Sequence, residues 1–180
     1  MHQPKTISVY ADGSSVGNST GPIGWGWLVT DWEDIICAGS EGAPVGTNNI
    51  AELQGALHGL RAVVDRGLHI GNNVELVSDS TYALNLASGL FQPNKYHETV
   101  NTLQELYKLT NCRTRWVRGH SGDIFNDRCD ELAKAGRDRY TVTETKKRRR
   151  SRKREERRRK RAIVKEFKRR MYGHGNWRLS

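Results

Sequence analysis

Apolar and polar positions alternate near the start of the chain. Ile7, Val9 and Ala11 interleave with Ser8 and Tyr10, the period of a strand with unlike faces, and the run stops at Asp12 and Gly13. Asp-Gly is a strong turn dipeptide, so Asp12 by itself reads as a turn former at the mouth of a core strand. The polar, glycine-rich stretch from Gly13 to Gly24 then turns the chain as a hairpin loop. It lacks the G-x-G-x-x-G spacing and the following helix of a dinucleotide site. Ile23, Trp25, Trp27 and Val29 alternate with Gly24, Gly26 and Leu28, which predicts a second strand with one bulky face and one nearly bare. Tryptophans at strand period are core residues before they are stacking platforms. A third short strand, Ile35 to Gly39, completes an antiparallel meander.

The period then lengthens. Ile50, Leu53, Leu57, Leu60 and Val64 recur at helical spacing. Asn49 suits the N-cap, with Glu52 three residues on reaching back to it, or Glu52 is free for chemistry. Val74, Leu76 and Val77 form a short buried strand, after which Ser78 and Asp79 open a helix through Tyr82, Leu84 and Leu86. Asp79 fits an N-cap. It is also the second acid at a strand end, where ligands of an α/β sheet gather. A helix from about Tyr96 to Leu109 and a last strand through Arg113, Arg115 and Arg118 follow. Gly119 and Gly122 flank His120 in a loop, and Asn126 to Ala135 is helical, with Asp130 one turn before Lys134 as an ordinary ion-pair partner. The expected architecture is α/β, a mixed sheet of five strands with strands one to three antiparallel and helices on both faces.

Charge divides this 180-residue chain in two. Before Thr145 there are 12 Lys and Arg against 17 Asp and Glu, a net of −5; from Thr145 onward there are 18 against 3, a net of +15. The expected domains are therefore an acidic body, residues 1–144, and a basic tail, residues 145–180. Cys37, Cys112 and Cys129 include no C-x-x-C pair, so neither a disulfide framework nor a zinc site is supported. The opening residues carry no apolar signal segment and no apolar run approaches a membrane span. An intracellular, cytoplasmic monomer without membrane contact is expected, nucleoid-associated or nuclear if the tail directs it.

Each acid has an ordinary reading alone, but their order is distinctive. Y-A-D-G-S, T-N-N-I-A-E-L, V-S-D-S, W-V-R-G-H-S-G and N-D-R-C-D-E-L-A together closely resemble type 1 ribonuclease H, over about Lys5 to Arg137. The resemblance implies the ribonuclease H-like fold and metal ligands at Asp12, Glu52, Asp79 and Asp130. It also implies that His120 assists catalysis as a proton carrier or in product release. Clustered carboxylates repel unless cations stand between them, and oxygen-only ligands suit two Mg²⁺ ions, or Mn²⁺. The activity implied is hydrolysis of the RNA strand of an RNA/DNA hybrid, leaving 5′-phosphate and 3′-hydroxyl ends. Asn18, Asn48 and Asn49 match positions that contact the hybrid, and Thr47 matches one that helps hold a DNA-strand phosphate. Amides both donate and accept, as a 2′-hydroxyl requires.

Two departures from the family pattern stand out. Thr81 occupies the place where many members carry glutamine, and the segment from Asp79 to Trp116 is too short for the basic handle of some members. Lys146 to Arg161, interrupted by acid only at Glu155 and Glu156, offers phosphate contact in the handle's place, as a helix or a disordered segment. Ile163, Val164, Phe167 and Met171 add an apolar stripe at helical spacing, and Trp177 lies beyond it. Two other functions share these residues. One is a nuclease or integrase of the same broad superfamily acting on DNA, although the DEDD exonucleases among these usually open with Asp-x-Glu, where Gly13 and Ser14 follow Asp12 here. The other is a non-catalytic hybrid-binding adaptor, which gains nothing from concentrating acids beside phosphates.

Overall fold

The computed structural model describes residues 3–17, 21–32 and 34–172. Asn18 and Trp177 lie outside the described residues, as do the side chains of Ile163, Val164, Phe167 and Met171. The chain divides into two units, Met1–Thr141 and Val142–Ser180.

In the first unit, strands β1 (Thr6–Ser15), β2 (Gly21–Asp31) and β3 (Asp34–Gly46) precede helix α1 (Asn48–Asp65). Strand β4 (Asn73–Ser78), helices α2 (Thr81–Ala87) and α3 (His97–Leu109), strand β5 (Arg113–Trp116) and the start of helix α4 (Ile124–Tyr172) follow. The five strands form one sheet in the order β3-β2-β1-β4-β5. β1, β2 and β3 pair antiparallel, while β1–β4 and β4–β5 pair parallel. This is the mixed α/β sheet that the sequence predicts.

Alternation along β1 sorts two cores. Ile7, Val9 and Ala11 face Leu53, Ala56, Leu57 and Leu60 of α1 and Val100 and Leu103 of α3. Each fully buried leucine contributes about 2 kcal/mol by removal from water. On the other face Tyr10 joins Leu28, Val77 and Cys129 of α4. There the bare side of β2 acquires its meaning. A Cβ on Gly24 or Gly26 would overlap the α4 backbone at Ala133, Arg137 and Cys129, so the helix rests on the sheet backbone itself. Ser40 Oγ donates to the Leu132 carbonyl at 2.6 Å beside this contact.

The structure corrects several local expectations. β1 runs three residues past Asp12, because pairing of Asp12 with Gly26 and Gly13 with Trp25 outweighs the turn preference of Asp-Gly. β3 extends to Gly46, far beyond Gly39. α1 is capped by Thr47 and not Asn49, its hydroxyl accepting from Ile50 N at 3.3 Å. α2 is capped by Ser80 and not Asp79. α4 begins at Ile124, where Asp123 Oδ1 accepts from Phe125 N and Asn126 N, both at 3.1 Å.

The second unit is helical through Tyr172. Its described basic side chains, Lys147, Arg150, Lys153, Arg154, Arg157, Arg158 and Arg161, are all exposed.

Candidate active site

Strand register brings the first two acids together. The last β1–β4 pair is Tyr10 with Val77, so Asp12 and Asp79 each stand two residues further along neighbouring parallel strands. Helix α1 delivers the third acid. It approaches because Gly13 has no side chain: a Cβ there would stand 2.5 Å from Glu52 N. One carboxylate oxygen each from Asp12, Glu52 and Asp79 lie within 4.8 Å of one another. Moving the α2 cap to Ser80 leaves the Asp79 carboxylate outside the capping bond.

Few donors meet these acids. Asp12 Oδ1 accepts from Gly13 N at 2.7 Å, and Glu52 Oε1 accepts from Asn48 Nδ2 at 3.0 Å. Glu52 Oε2 is buried without a partner. Burial, then repulsion from Asp79, pushes the Asp12 carboxyl up to about 7, against the pull of the Gly13 N–H. Burial, then Asp12 and Asp79, drives Glu52 well above the usual carboxylate range. A cluster of three acids, one with an orphaned buried carboxylate oxygen, fits a divalent cation, and an all-oxygen donor set fits a hard ion such as Mg²⁺ or Mn²⁺.

Asp130 stands apart from this trio. Its carboxylate pairs with Lys134 on the next turn of α4, and its charge raises the Asp12 carboxyl from a distance. His120 is exposed, at φ 52° in the loop before α4, and its charge favours the Asp12 anion. The structure thus brings three of the four predicted ligands into reach of one ion and sets Asp130 and His120 around them.

Thr47, Asn48 and Asn49 line a cleft of about 440 Å³ at the α1 N-terminus. Asn48 is committed to Glu52, while Asn49 is exposed. Thr47 Oγ1 lies 2.8 Å from Tyr96 Oη. Asn94, Lys95 and Tyr96 close the cleft from the loop before α3. Sequence reading passed over these three, since Asn-Lys after Pro93 signals only a loop. Trp116 and Gly119 were also missed: the Trp116 indole donates to the Asp79 carbonyl at 3.0 Å, and Gly119 abuts the Asp79 carboxylate. Their place in the W-V-R-G-H-S-G motif was the available signal.

A family model described as RNase H matches residues 4–138. Ribonuclease H of Chlorobium phaeovibrioides is 33% identical over 144 residues, covering 72% of this chain and 94% of that protein. Two solved structures share the fold. The N-terminal RNase H domain of a Mycobacterium tuberculosis protein has a TM-score of 0.68 at 24% identity, covering 77% of this chain and 98% of its own. LC11-RNase H1, solved in complex with an RNA/DNA hybrid, has a TM-score of 0.64 at 23% identity, covering 74% and 97%. A model match over most of the acidic body, and a relative one-third identical along nearly its whole length, place this chain in the ribonuclease H family.

Proposed function

We propose that the protein is a monomeric endoribonuclease that hydrolyses the RNA strand of RNA/DNA hybrids with two Mg²⁺ ions, or Mn²⁺, leaving 5′-phosphate and 3′-hydroxyl ends. The observation that carries this reading is the convergence of Asp12, Glu52 and Asp79 within 4.8 Å, with a buried Glu52 oxygen lacking any partner. The hybrid held by LC11-RNase H1 supports the substrate class. Bound cations supply activation of the attacking water and charge compensation at the leaving 3′-oxygen.

The chain's own groups do the rest. Asp12, Glu52 and Asp79 would hold the ions, and Asp130, paired here with Lys134, would complete the ligand set. His120, exposed on its loop, carries a proton to or from the reacting phosphate. Thr47 and the α1 N-terminus receive a DNA-strand phosphate, and Asn49 and Asn48 in the same cleft read the hybrid's sugars, a role that the family resemblance extends to Asn18. The basic helix beyond residue 144 adds phosphate affinity without sequence preference, which its row of exposed Lys and Arg side chains supports.

Cleavage of labelled hybrid, RNA duplex, DNA duplex and single strands, in Mg²⁺ and in chelator, tests this for wild type and Asp12→Asn. Hybrid-only, metal-dependent cutting of the RNA strand that vanishes in the variant is expected. Binding without cutting in either Mg²⁺ or Mn²⁺ refutes it. If the tail meets roughly 6 phosphates, hybrid affinity falls by about 10³ between 50 and 200 mM salt. Truncation after Glu144 flattens that dependence, and an unchanged slope removes the tail from the reading.

A further inference from the structure

The segment that follows β5 holds the backbone and the carboxylate of Asp79 by different means. Ser78 pairs with Trp116 in the parallel ladder, and Val117 N donates to the Ser78 carbonyl at 3.1 Å. Asp79 lies one residue past the end of β4. Its carbonyl is met instead by a side chain, the Trp116 indole N–H, at 3.0 Å. Trp116 is 55% exposed, so packing alone does not explain an indole at this position. The hydrogen bond does.

Gly119 acts on the other end of the same residue. A Cβ there would fall on Asp79 Oδ2, well inside the 3.0 Å that real Cβ atoms essentially never approach. Its backbone lies outside the left-handed region, so conformational freedom is not what calls for glycine. The space is. The three nearest atoms that Cβ would meet, among the described residues, all belong to the Asp79 side chain, a flexible group, so an alanine is expected to displace the carboxylate and leave the fold in place.

We propose that Trp116 and Gly119 are positioning residues for the metal ligand Asp79: the indole N–H of Trp116 fixes its backbone carbonyl while Gly119 reserves the volume its carboxylate must occupy. Neither touches the reacting atoms. The pair sets where one of three converging carboxylates points, and with it the affinity for the ion. Outer groups that orient a metal ligand typically govern affinity by about 10- to 100-fold. This inference rests on the metal-site reading above.

The test is Mn²⁺ binding by calorimetry on the intact chain, for wild type, Trp116→Phe, Gly119→Ala and Asp79→Asn, with thermal melting of each in chelator. Wild type binds Mn²⁺ and Asp79→Asn loses the tighter binding event; if wild type binds none, the metal-site reading itself fails. Given wild-type binding, Gly119→Ala is expected to weaken it about 10-fold or more with an unchanged melting temperature. Trp116→Phe, which keeps an aromatic ring and removes the N–H, is expected to weaken it several-fold. In cleavage, both raise the metal concentration for half-maximal rate, with little change in KM for hybrid at saturating metal. Wild-type Mn²⁺ affinity in folded Gly119→Ala overturns the proposal, as does a loss of stability with affinity intact. Should Trp116→Phe fail to fold, Gly119→Ala alone decides.

Discussion

Asp12→Asn removes a charge that the metal-free fold is strained to hold. Burial and Asp79 carry this carboxyl from 3.8 to about 7. At roughly 1.4 kcal/mol for each tenfold in proton affinity, that displacement amounts to about 4 kcal/mol against the folded state once Asp12 is ionised. Asp12 and Glu52 are both raised and repel each other, so one amide relieves only part of the shared repulsion, about 2–4 kcal/mol. For a body of this size that raises Tm by about 5–12 °C. The direction with pH follows. A carboxyl whose folded value is raised binds its proton more tightly in the native state, so its favourable contribution is complete below 3.8 and is lost as pH rises through about 7. Scanning calorimetry in chelator therefore shows Asp12→Asn melting well above wild type at pH 8 and close to it near pH 4. Saturating Mg²⁺ at pH 8 narrows the gap by stabilising the wild type. A variant that melts no higher than wild type in chelator at pH 8, or a gap independent of pH, would refute the account of a repulsive, desolvated triad.

Two further expectations concern the scaffold. Gly24→Ala places a Cβ against the α4 backbone at Ala133 and Arg137, which cannot swing aside, and is expected to cost about 3 kcal/mol in urea denaturation; a loss below about 1 kcal/mol would mean that α4 is not seated on the bare face of β2. His58 stacks on Trp27 with ring centroids 5.1 Å apart, and burial lowers its pKa from 6.5 despite Glu41 nearby. Its neutral form favours the native state above 6.5 and that support is lost as pH falls, so a proton-resonance titration should place the midpoint below 6.5 with a concurrent shift of the Trp27 indole signal.

β1, β2 and β4 were legible because alternate residues of each pack on the main core, while residues between them meet the smaller core on the other face. β3 was cut short since Ser40 to Gly46 contains two glycines and a proline in place of alternating apolar residues; it is held by pairing with β2 and by contact with α4. Asp12 looked terminal because Asp-Gly favours turns, a local preference that the β1–β2 ladder overrides. The acids themselves were legible through their order and family resemblance. The Asp130–Lys134 pair was legible from its one-turn spacing, whereas its position outside the triad, and the service of Glu52 by Asn48 and not Asn49, depend on three-dimensional distances. The Trp116 and Gly119 contacts with Asp79 join residues 37 and 40 positions away, beyond the reach of periodicity.

The equal offset of Asp12 and Asp79 beyond the Tyr10–Val77 pair makes the sheet a ruler. Adjacent strands lie about 4.8 Å apart whatever side chains they carry, because main-chain hydrogen bonds set that spacing. Two of the three carboxylates therefore inherit their span from the peptide repeat. Exchanges among the leucines and valines beneath them can alter melting without changing the gauge of the site. Slippage by a single register position would instead abolish it outright.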